Sequence, residues 1–485
     1  MFQRLSETGN DVEKAYQQNW QGFETGFWET EVSVGRLRYP RSALFLNHWL
    51  IARTGEEVVA REVFDRFKRY ADNEAGIPMY ELLDQLNKAA GAYRDFITAA
   101  STLTGPISRL ALFGYRTSVL ESEVIKPLVL CLLETRDPKV PDHQVEKALD
   151  VVESWMVRRM LVRATTKNYN QVFAELVGLV RANRATAGDA IESYFASQSS
   201  PSRYWPDDIE LREETETLQA YRRLRRGRLR MVLEAVEDYE RGWKEGKSGL
   251  ADERVARGKM AIEHIMPRKW QPNWPLEDPA GEAAREGIIH TLGNLTLLTK
   301  RLNSKVSNAQ WLGTNGKREG LEQHDVLFLN RGVLRIGETV WTDEAIRSRT
   351  VAIAKVIVQI WPVPPNHRSE FARKRPSRQK RIDLSDLIAG GVLHAGMSLF
   401  PRHNQFAHRT VTLLSDGRIE VDGIPYLTPF NAASAIVGKR TNGWWFFLTD
   451  QAAKRSLRNV RRDYIEEMDV DAEDDEADDG DDDDV

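Results

Sequence analysis

Two short segments near the middle of the chain constrain its fold more than any other feature. The first, EHIMP, runs from Glu263 to Pro267, and the second, GNLTLLTKRLNSKVSN, runs from Gly293 to Asn308. Within the second segment, an apolar run typical of a short buried strand separates Asn294 from Asn303. The order and spacing of these polar residues predict that they meet in one compact site.

The residue types in these segments suit the hydrolysis of a phosphodiester. An imidazole can accept a proton near neutral pH, so His264 is predicted to be a general base. Neighbouring side chains of an extended segment point to opposite faces, which would turn Glu263 toward another side of the phosphate. We expect Glu263 and Asn303 to offer oxygen ligands to a divalent cation, Mg²⁺ or Mn²⁺ rather than zinc. Asn294 would hold the loop that carries His264.

The residues that follow the apolar run are predicted to form a helix. If 295–298 is a strand and 300–306 begins a helix, Asn303 returns toward the site. Three basic residues would lie on that helix and contact phosphates, although an ordinary solvated helix face is the alternative: Lys300, Arg301 and Lys305.

The 485 residues are too many for one hydrophobic core, and the length predicts about three domains. Residues 1–245 show apolar residues at three- and four-residue spacing between prolines, which predicts a mainly α scaffold domain. Residues 246–362 contain the two segments and form the second domain. We expect it to open with a charged helix over 241–258 and to close with a helix over 343–361.

The remainder of the chain contains one further module. Residues 363–381 form a basic linker, which could lie along a nucleic acid or be a solvated hinge. Residues 382–465 contain two Asp-Gly hairpin signals between short helices and an aromatic strand at 442–450, which predicts a small α+β module. The acidic tail, 466–485, cannot bury a core and is predicted to be disordered.

The net charge of −4 hides a basic body. The last twenty residues carry fourteen acidic side chains and no basic ones, so residues 1–465 have a net charge of +10. A basic body suits a polyanionic partner, unless its arginines are held in ordinary surface ion pairs. The single cysteine, Cys131, lies in an apolar run and is predicted to be a core residue. Without an apolar signal core or a spanning segment, we expect a cytoplasmic protein with no membrane partner.

The text EHIMP…HTLGNLTLLTKRLNSKVSN…W resembles the HNH nuclease domain at the C-terminus of GmrSD-type modification-dependent restriction endonucleases. The resemblance covers about residues 250–362 and implies a ββα-metal fold. It implies His264 as base, Asn294 as the structural asparagine of the motif, and Glu263 and Asn303 as metal ligands.

Further positions extend this resemblance. His290 and Asn308 fall on positions that recur in the family, and they would support the loop or the phosphate. We therefore include His290 among the predicted catalytic residues. The text VVESWMVRRMLV at 151–162 is similar to the family's middle region. The DGQQR motif that usually begins such proteins is missing from this sequence. A separate DGQQR-type nucleotide-binding polypeptide is therefore a possible partner.

The third module resembles a RAMA domain, found beside restriction enzymes and DNA methylases. The resemblance rests on DLIAGGVLHAGMSL and DGRIEVDGIPYLTPFNAASAIVGKRTNGWWFF and implies DNA binding. Lys439, Arg440 and Asn442 are the predicted DNA contacts. The aromatic run 444–447 is expected to be half core and half surface.

Together these observations predict a metal-dependent DNA endonuclease subunit of a bacterial anti-phage restriction system. Its substrate would be modified or foreign DNA, including modified phage DNA. The sequence leaves two alternatives open. One is a catalytically silent DNA-binding or regulatory subunit, and the other is an RNA-cutting toxin.

Overall fold

The computed structural model describes residues 11–34, 37–135, 138–243, 253–274, 276, 282–299, 309–313, 316–323, 327–369, 383–439 and 441–467. The chain forms two compact units, Met1–Lys374 and Arg375–Val485. The predicted acidic tail from 468 onward and the linker from 370 to 381 lie outside the described residues. Across the described ranges, no helix is long and apolar enough to cross a lipid bilayer.

The first unit is mainly helical, as the spacing of its apolar residues predicts. In chain order its helices before the candidate site are α1 (Val12–Asn19), α2 (Gly26–Glu29), α3 (Arg41–Thr54), α4 (Val63–Arg69), α5 (Met79–Ala100), α6 (Arg109–Val119), α7 (Lys126–Leu132), α8 (Asp142–Leu161), α9 (Tyr169–Ala182), α10 (Ala187–Ala196), α11 (Asp208–Thr217), α12 (Ala220–Arg223) and α13 (Arg226–Glu240). The later helices are α14 (Glu282–Ile288), α15 (Lys317–Gln323), α16 (Phe328–Ile336) and α17 (Asp343–Ile360). Short 3-10 turns occur at Gln21–Glu24, Ala60–Glu62, Glu123–Ile125, Arg184–Thr186 and Leu292–Asn294, and a π turn at Tyr70–Glu74.

Helix α5 shows why the apolar pattern forms a helix here. Its buried residues recur at three- and four-residue spacing, so one face enters the core while the opposite face stays in solvent. Helix α17 begins at a capping threonine, because the hydroxyl of Thr342 accepts a hydrogen bond from the Ala345 amide. The helix predicted over 343–361 is therefore confirmed.

Two local predictions in the first unit need correction. A hairpin of β1 (Glu31–Val34) and β2 (Leu37–Pro40) interrupts the helical region. The charged helix predicted over 241–258 is wrong where it is described, because 253–258 contains a bend, a turn and irregular chain but no helix. Its amides bond to other elements instead of to a helix of their own: the Val255 amide donates to Asp238 and the Gly258 amide to Glu234.

One hydrophobic core runs across the predicted boundary at 245. It joins Leu229 and Val232 of α13 to Leu297 and to Ile357 of α17. Buried polar contacts add to this connection, since the indole of Trp361 donates to Glu153 of α8 at 2.8 Å. The helical scaffold and the segment with the two motifs therefore pack as one unit, and the boundaries predicted within it stay a prediction.

A two-stranded sheet carries the motif residues. Strand β3 (Ala261–His264) pairs antiparallel with β4 (Leu295–Leu298), so that Glu263 lies opposite Thr296 and His264 opposite Leu295. Before β4, the chain passes so close to α17 that a Cβ on Gly293 would lie 2.0 Å from the Ile346 carbonyl oxygen. Any side chain would clash with the backbone of α17, so this position requires glycine.

The second unit is an α+β module, as predicted. Its helices are α18 (Leu384–Ala389), α19 (Pro429–Val437), α20 (Gly443–Phe446) and α21 (Leu457–Glu467), with a 3-10 turn at Asn404–Phe406. Its strands are β5 (Phe400–Pro401), β6 (Val411–Leu413), β7 (Ile419–Val421), β8 (Ile424–Tyr426), β9 (Phe447–Asp450) and β10 (Arg455–Ser456). The two sheets have strand orders β6-β7-β8 and β10-β9-β5, and the first contains both predicted hairpins.

The aromatic strand predicted at 442–450 is only half correct. Residues 443–446 form α20, because the Asn442 side chain accepts a hydrogen bond from the Trp445 amide and caps a helical turn. The strand begins at Phe447. Phe446 and Phe447 are buried and Trp445 is exposed, which confirms that this run divides between core and surface.

Candidate active site

The β3–β4 pair presents the predicted base and the predicted acidic ligand from adjacent positions. His264 ends β3 and is 5% exposed, while the Glu263 side chain is 16% exposed. Because side chains alternate along a strand, these two residues face different surroundings. His264 meets an aromatic cluster, and Glu263 meets a lysine.

Asn294 ties the turn after His264 to the start of β4. Its Oδ1 accepts hydrogen bonds from the Met266 amide at 2.8 Å and from the Trp341 indole at 3.2 Å. Its Nδ2 donates to the carbonyl oxygens of Met266 and Ile289, both at 2.9 Å. The side chain is fully buried, so these bonds satisfy an amide that has no access to water.

His264 and His290 form a hydrogen-bonded pair. The Nε2 atom of His264 lies 3.1 Å from Nδ1 of His290, and both rings are buried. Burial, followed by the neighbouring His290 and by nearby cationic side chains, holds the pKa of His264 well below its usual 6.5. Burial and nearby arginines lower the pKa of His290 to about 4. Both imidazoles are therefore neutral at pH 7.

Tyr221 of α12 completes the aromatic cluster around the pair. Its ring centroid lies 4.2 Å from that of His264, edge to face, and 5.8 Å from that of His290, nearly parallel. The Tyr221 amide also donates to the His290 carbonyl oxygen at 3.1 Å. The helical region thus contributes directly to the site, and the sequence analysis did not identify this residue.

Lys317 of α15 binds both motif residues at the end of β3. Its ammonium lies 2.5 Å from Oε1 of Glu263 and 2.6 Å from the His264 carbonyl oxygen. The residue is only 2% exposed. Desolvation lowers the pKa of Lys317, and the Glu263 carboxylate opposes that shift. Sequence analysis missed Lys317 because nothing near it in the chain separates it from a solvated helix residue.

Of the two predicted metal ligands, Glu263 and Asn303, only Glu263 lies in the described part of the chain. The second Glu263 oxygen, Oε2, makes no hydrogen bond within the described residues, so the carboxylate keeps one side available to a cation. No group of three or more His, Cys, Asp or Glu side chains there could hold a metal ion. A single carboxylate with an amide oxygen suits a hard cation such as Mg²⁺ or Mn²⁺, whose remaining ligands are water and phosphate.

Several predicted residues cannot be placed. Five of them lie outside the described residues of the first unit: Lys300, Arg301, Asn303, Lys305 and Asn308. In the second unit, Lys439 and Asn442 are both exposed, and Arg440 lies outside the described residues. The predicted contacts of these residues with metal or DNA stay predictions.

Comparison with protein families agrees with this arrangement. A family model for the C-terminal domain of GmrSD restriction endonucleases matches residues 205–356. A second model, described as Restriction Enzyme Adenine Methylase Associated (RAMA), matches residues 365–470. No curated protein matches the chain. The match to the GmrSD C-terminal domain includes Tyr221, the histidine pair and Lys317, so all the residues of the described site fall within it. The chain therefore carries a GmrSD restriction endonuclease C-terminal domain followed by a RAMA domain.

Proposed function

We propose that this chain is a metal-dependent HNH-type DNA endonuclease subunit of a bacterial anti-phage restriction system, acting on modified or foreign DNA. The observation that carries the proposal is the neutral imidazole of His264, held by His290 and Tyr221 one residue from the Glu263 carboxylate. The match to a restriction endonuclease domain supports hydrolysis of DNA.

The hydrogen bond between the histidines bears on which nitrogen can act as a base. Two neutral imidazoles share one proton in such a bond, so one ring donates and the other accepts. If Nε2 of His264 donates to Nδ1 of His290, then Nδ1 of His264 carries a lone pair. In this tautomer, His264 can accept a proton from an attacking water, and His290 is the residue that fixes the tautomer.

The remaining residues orient this base and the predicted ligand. Asn294 holds the turn that follows His264, and Lys317 holds both the Glu263 carboxylate and the His264 carbonyl. Glu263 and Asn303 would bind the divalent cation, which supplies charge neutralisation at the phosphate when bound. The second unit, with its RAMA match, would contribute DNA binding through Lys439, Arg440 and Asn442.

Cleavage of plasmid and phage DNA tests the proposal. The full chain should cut DNA with Mg²⁺ or Mn²⁺ and stop when the cation is chelated. His264→Ala should remove cleavage while the thermal unfolding midpoint shows that the protein is folded. His143→Ala is the matched control, because His143 is exposed at the start of α8. Cleavage by His264→Ala at the rate of this control would refute the assignment.

A catalytically silent subunit is the second candidate, and one contact favours it. The Lys317 ammonium already bonds to one oxygen of Glu263, so a permanently held carboxylate could exclude a cation. In that case the full chain would bind DNA but leave plasmid intact with either metal. Parallel assays on modified DNA, unmodified DNA and RNA would also identify an RNA-cutting toxin.

A further inference from the structure

Beside the histidine pair lies a group of side chains that we call the arginine cluster: Tyr221, Arg222, Arg226 and Arg268. Tyr221 and Arg222 belong to α12, Arg226 begins α13, and Arg268 follows the EHIMP turn. Three separate segments therefore meet around the tyrosine ring that packs on His264. These residues come together only in the folded chain, and the EHIMP and GNLTLLTKRLNSKVSN segments do not indicate the cluster.

Tyr221 holds two of the guanidinium groups near the predicted base. The central guanidinium carbon of Arg226 lies 3.5 Å from the Tyr221 ring centroid, and that of Arg268 lies 5.6 Å away. Both distances are within the range of a cation–π contact, which attracts a cation without neutralising it. The aromatic ring thus places positive charge next to His264, on which the same ring packs.

The charges of Arg226 and Arg268 are not compensated in the described part of the chain. Both residues are exposed, and neither makes an ion pair with a described carboxylate. Arg222 differs, because it lies 3.5 Å from Glu286. The adjacent Arg225 also differs, because it pairs with Glu121. Uncompensated charge is therefore concentrated on the two arginines that contact Tyr221.

The ring of Tyr221 that contacts both arginines also packs on the buried, hydrogen-bonded pair of His264 and His290. Burial, followed by Arg222, Arg268 and Arg226, lowers the pKa of His290. Two like charges held beside two neutral imidazoles leave a local excess of positive potential, which an anion would relieve.

We propose that Arg226 and Arg268, positioned by Tyr221, bind a backbone phosphate of DNA beside His264. A guanidinium is planar and presents paired N–H donors that match two phosphate oxygens. The identity of the polyanion rests on the proposed function. The site itself requires only the arginine cluster and would also exist in a protein that binds DNA without cutting it.

Binding of a short DNA duplex to the full chain, measured by fluorescence anisotropy with the divalent cation chelated, tests the arginine cluster separately from cleavage. Arg226→Ala and Arg268→Ala should each weaken binding by about threefold to tenfold, and each should reduce the salt slope of log affinity by about one between about 50 and 200 mM salt. Arg226→Lys should keep the slope, because it keeps the charge. Arg225→Ala is the control, since Arg225 is an exposed neighbour that is already paired with Glu121.

Affinities and salt slopes for both alanine variants equal to those of Arg225→Ala would overturn this proposal, and so would an effect seen with RNA but not with DNA. Comparison with plasmid cleavage separates the two proposals. Reduced slopes in a chain that cuts no DNA would support the arginine cluster and reject the nuclease. If the chain without substitutions cuts DNA, and the salt slopes of Arg226→Ala and Arg268→Ala are unchanged, the nuclease is supported and the arginine cluster is rejected.

Discussion

The ammonium of Lys317 and the carboxylate of Glu263 form a buried ion pair at 2.5 Å, and the same ammonium donates to the carbonyl oxygen of His264. The lysine is almost completely enclosed, whereas the carboxylate keeps limited contact with solvent. Lys317 thus connects α15 to the end of β3. It fixes the predicted ligand and the backbone of the predicted base through one atom.

Lys317→Met should destabilise the protein by about 3 kcal/mol, because removing one partner of a buried pair leaves the other charge uncompensated. The His264 carbonyl oxygen would also lose its donor. Urea denaturation measures the difference. Lys355→Met, an exposed lysine of α17, is the matched control and should change the free energy of unfolding little. Equal stability of the two variants would show that the ion pair contributes nothing to folding.

Several helices of the first unit and strand β4 could be predicted because their signals are local. Apolar spacing predicts α5, α8 and α17, and the run after Asn294 predicts β4. Asn294 bonds to Met266, which lies in the turn directly after His264 and belongs to the EHIMP segment. Local sequence therefore predicted the mainly helical character of the first unit and the strand that follows Asn294.

The rest of the site depends on contacts between distant segments. Lys317 lies 54 positions after Glu263, and on its own it resembles any lysine in the first turn of a helix. Tyr221 and Arg226 lie in helices that were assigned to a scaffold. No local pattern indicates that these helices pack against β3. These helices contact β3 through the core that is shared across position 245. The predicted domain boundary at 245 assigned the helices and β3 to separate domains, so the contact was not expected.

His290 should matter for cleavage through a hydrogen-bond acceptor and not through its charge. Its pKa of about 4 keeps the ring neutral, and its Nδ1 atom faces Nε2 of His264. In His290→Asn, the side-chain amide oxygen can take over the acceptor role, whereas His290→Leu offers no acceptor. We expect single-turnover cleavage by the leucine variant to be at least about tenfold slower than by the asparagine variant, as for lost orientation of a general base.

Thermal unfolding of both His290 variants would show whether packing differs between them. If both variants cut at the same rate, His290 does not set the tautomer of His264. The proposed proton path through Nδ1 of His264 would then lose its support.

The pH dependence of cleavage should have its acidic limb below pH 6.5. Burial holds the pKa of His264 well below 6.5 in the folded protein, so the base form remains populated as the pH falls through 6.5. The value of kcat/KM, which reports the free enzyme, should therefore stay flat from mildly alkaline pH down to 6.5. The pH dependence of stability has the matching sign: an unfolded chain protonates His264 near 6.5 while the folded one does not, so stability is lost below that pH.

Rate profiles at constant ionic strength and saturating metal measure this limb. A limb at or above pH 6.5 would contradict an enclosed neutral His264. It would indicate that the imidazole is solvated in the active protein.

Asn294→Ala should be among the most damaging single substitutions in the first unit. It removes both ends of the amide that bonds to Met266, Ile289 and Trp341, and it leaves buried donors and acceptors without partners. Loss of one buried partner costs about 1–3 kcal/mol, so we expect a loss of at least about 3 kcal/mol in the free energy of unfolding.

Asn294→Asp separates the two ends of this amide. A carboxylate can still accept from the Met266 amide and the Trp341 indole, but it faces the carbonyl oxygens of Met266 and Ile289 without a donor. This variant should therefore lose stability as the pH rises and the carboxyl ionises, whereas the alanine variant should not show that trend. Asn170→Ala, at an exposed position, is the control. If the aspartate variant were as stable as this control at neutral pH, the donor end of Asn294 would not be needed to hold the turn after His264.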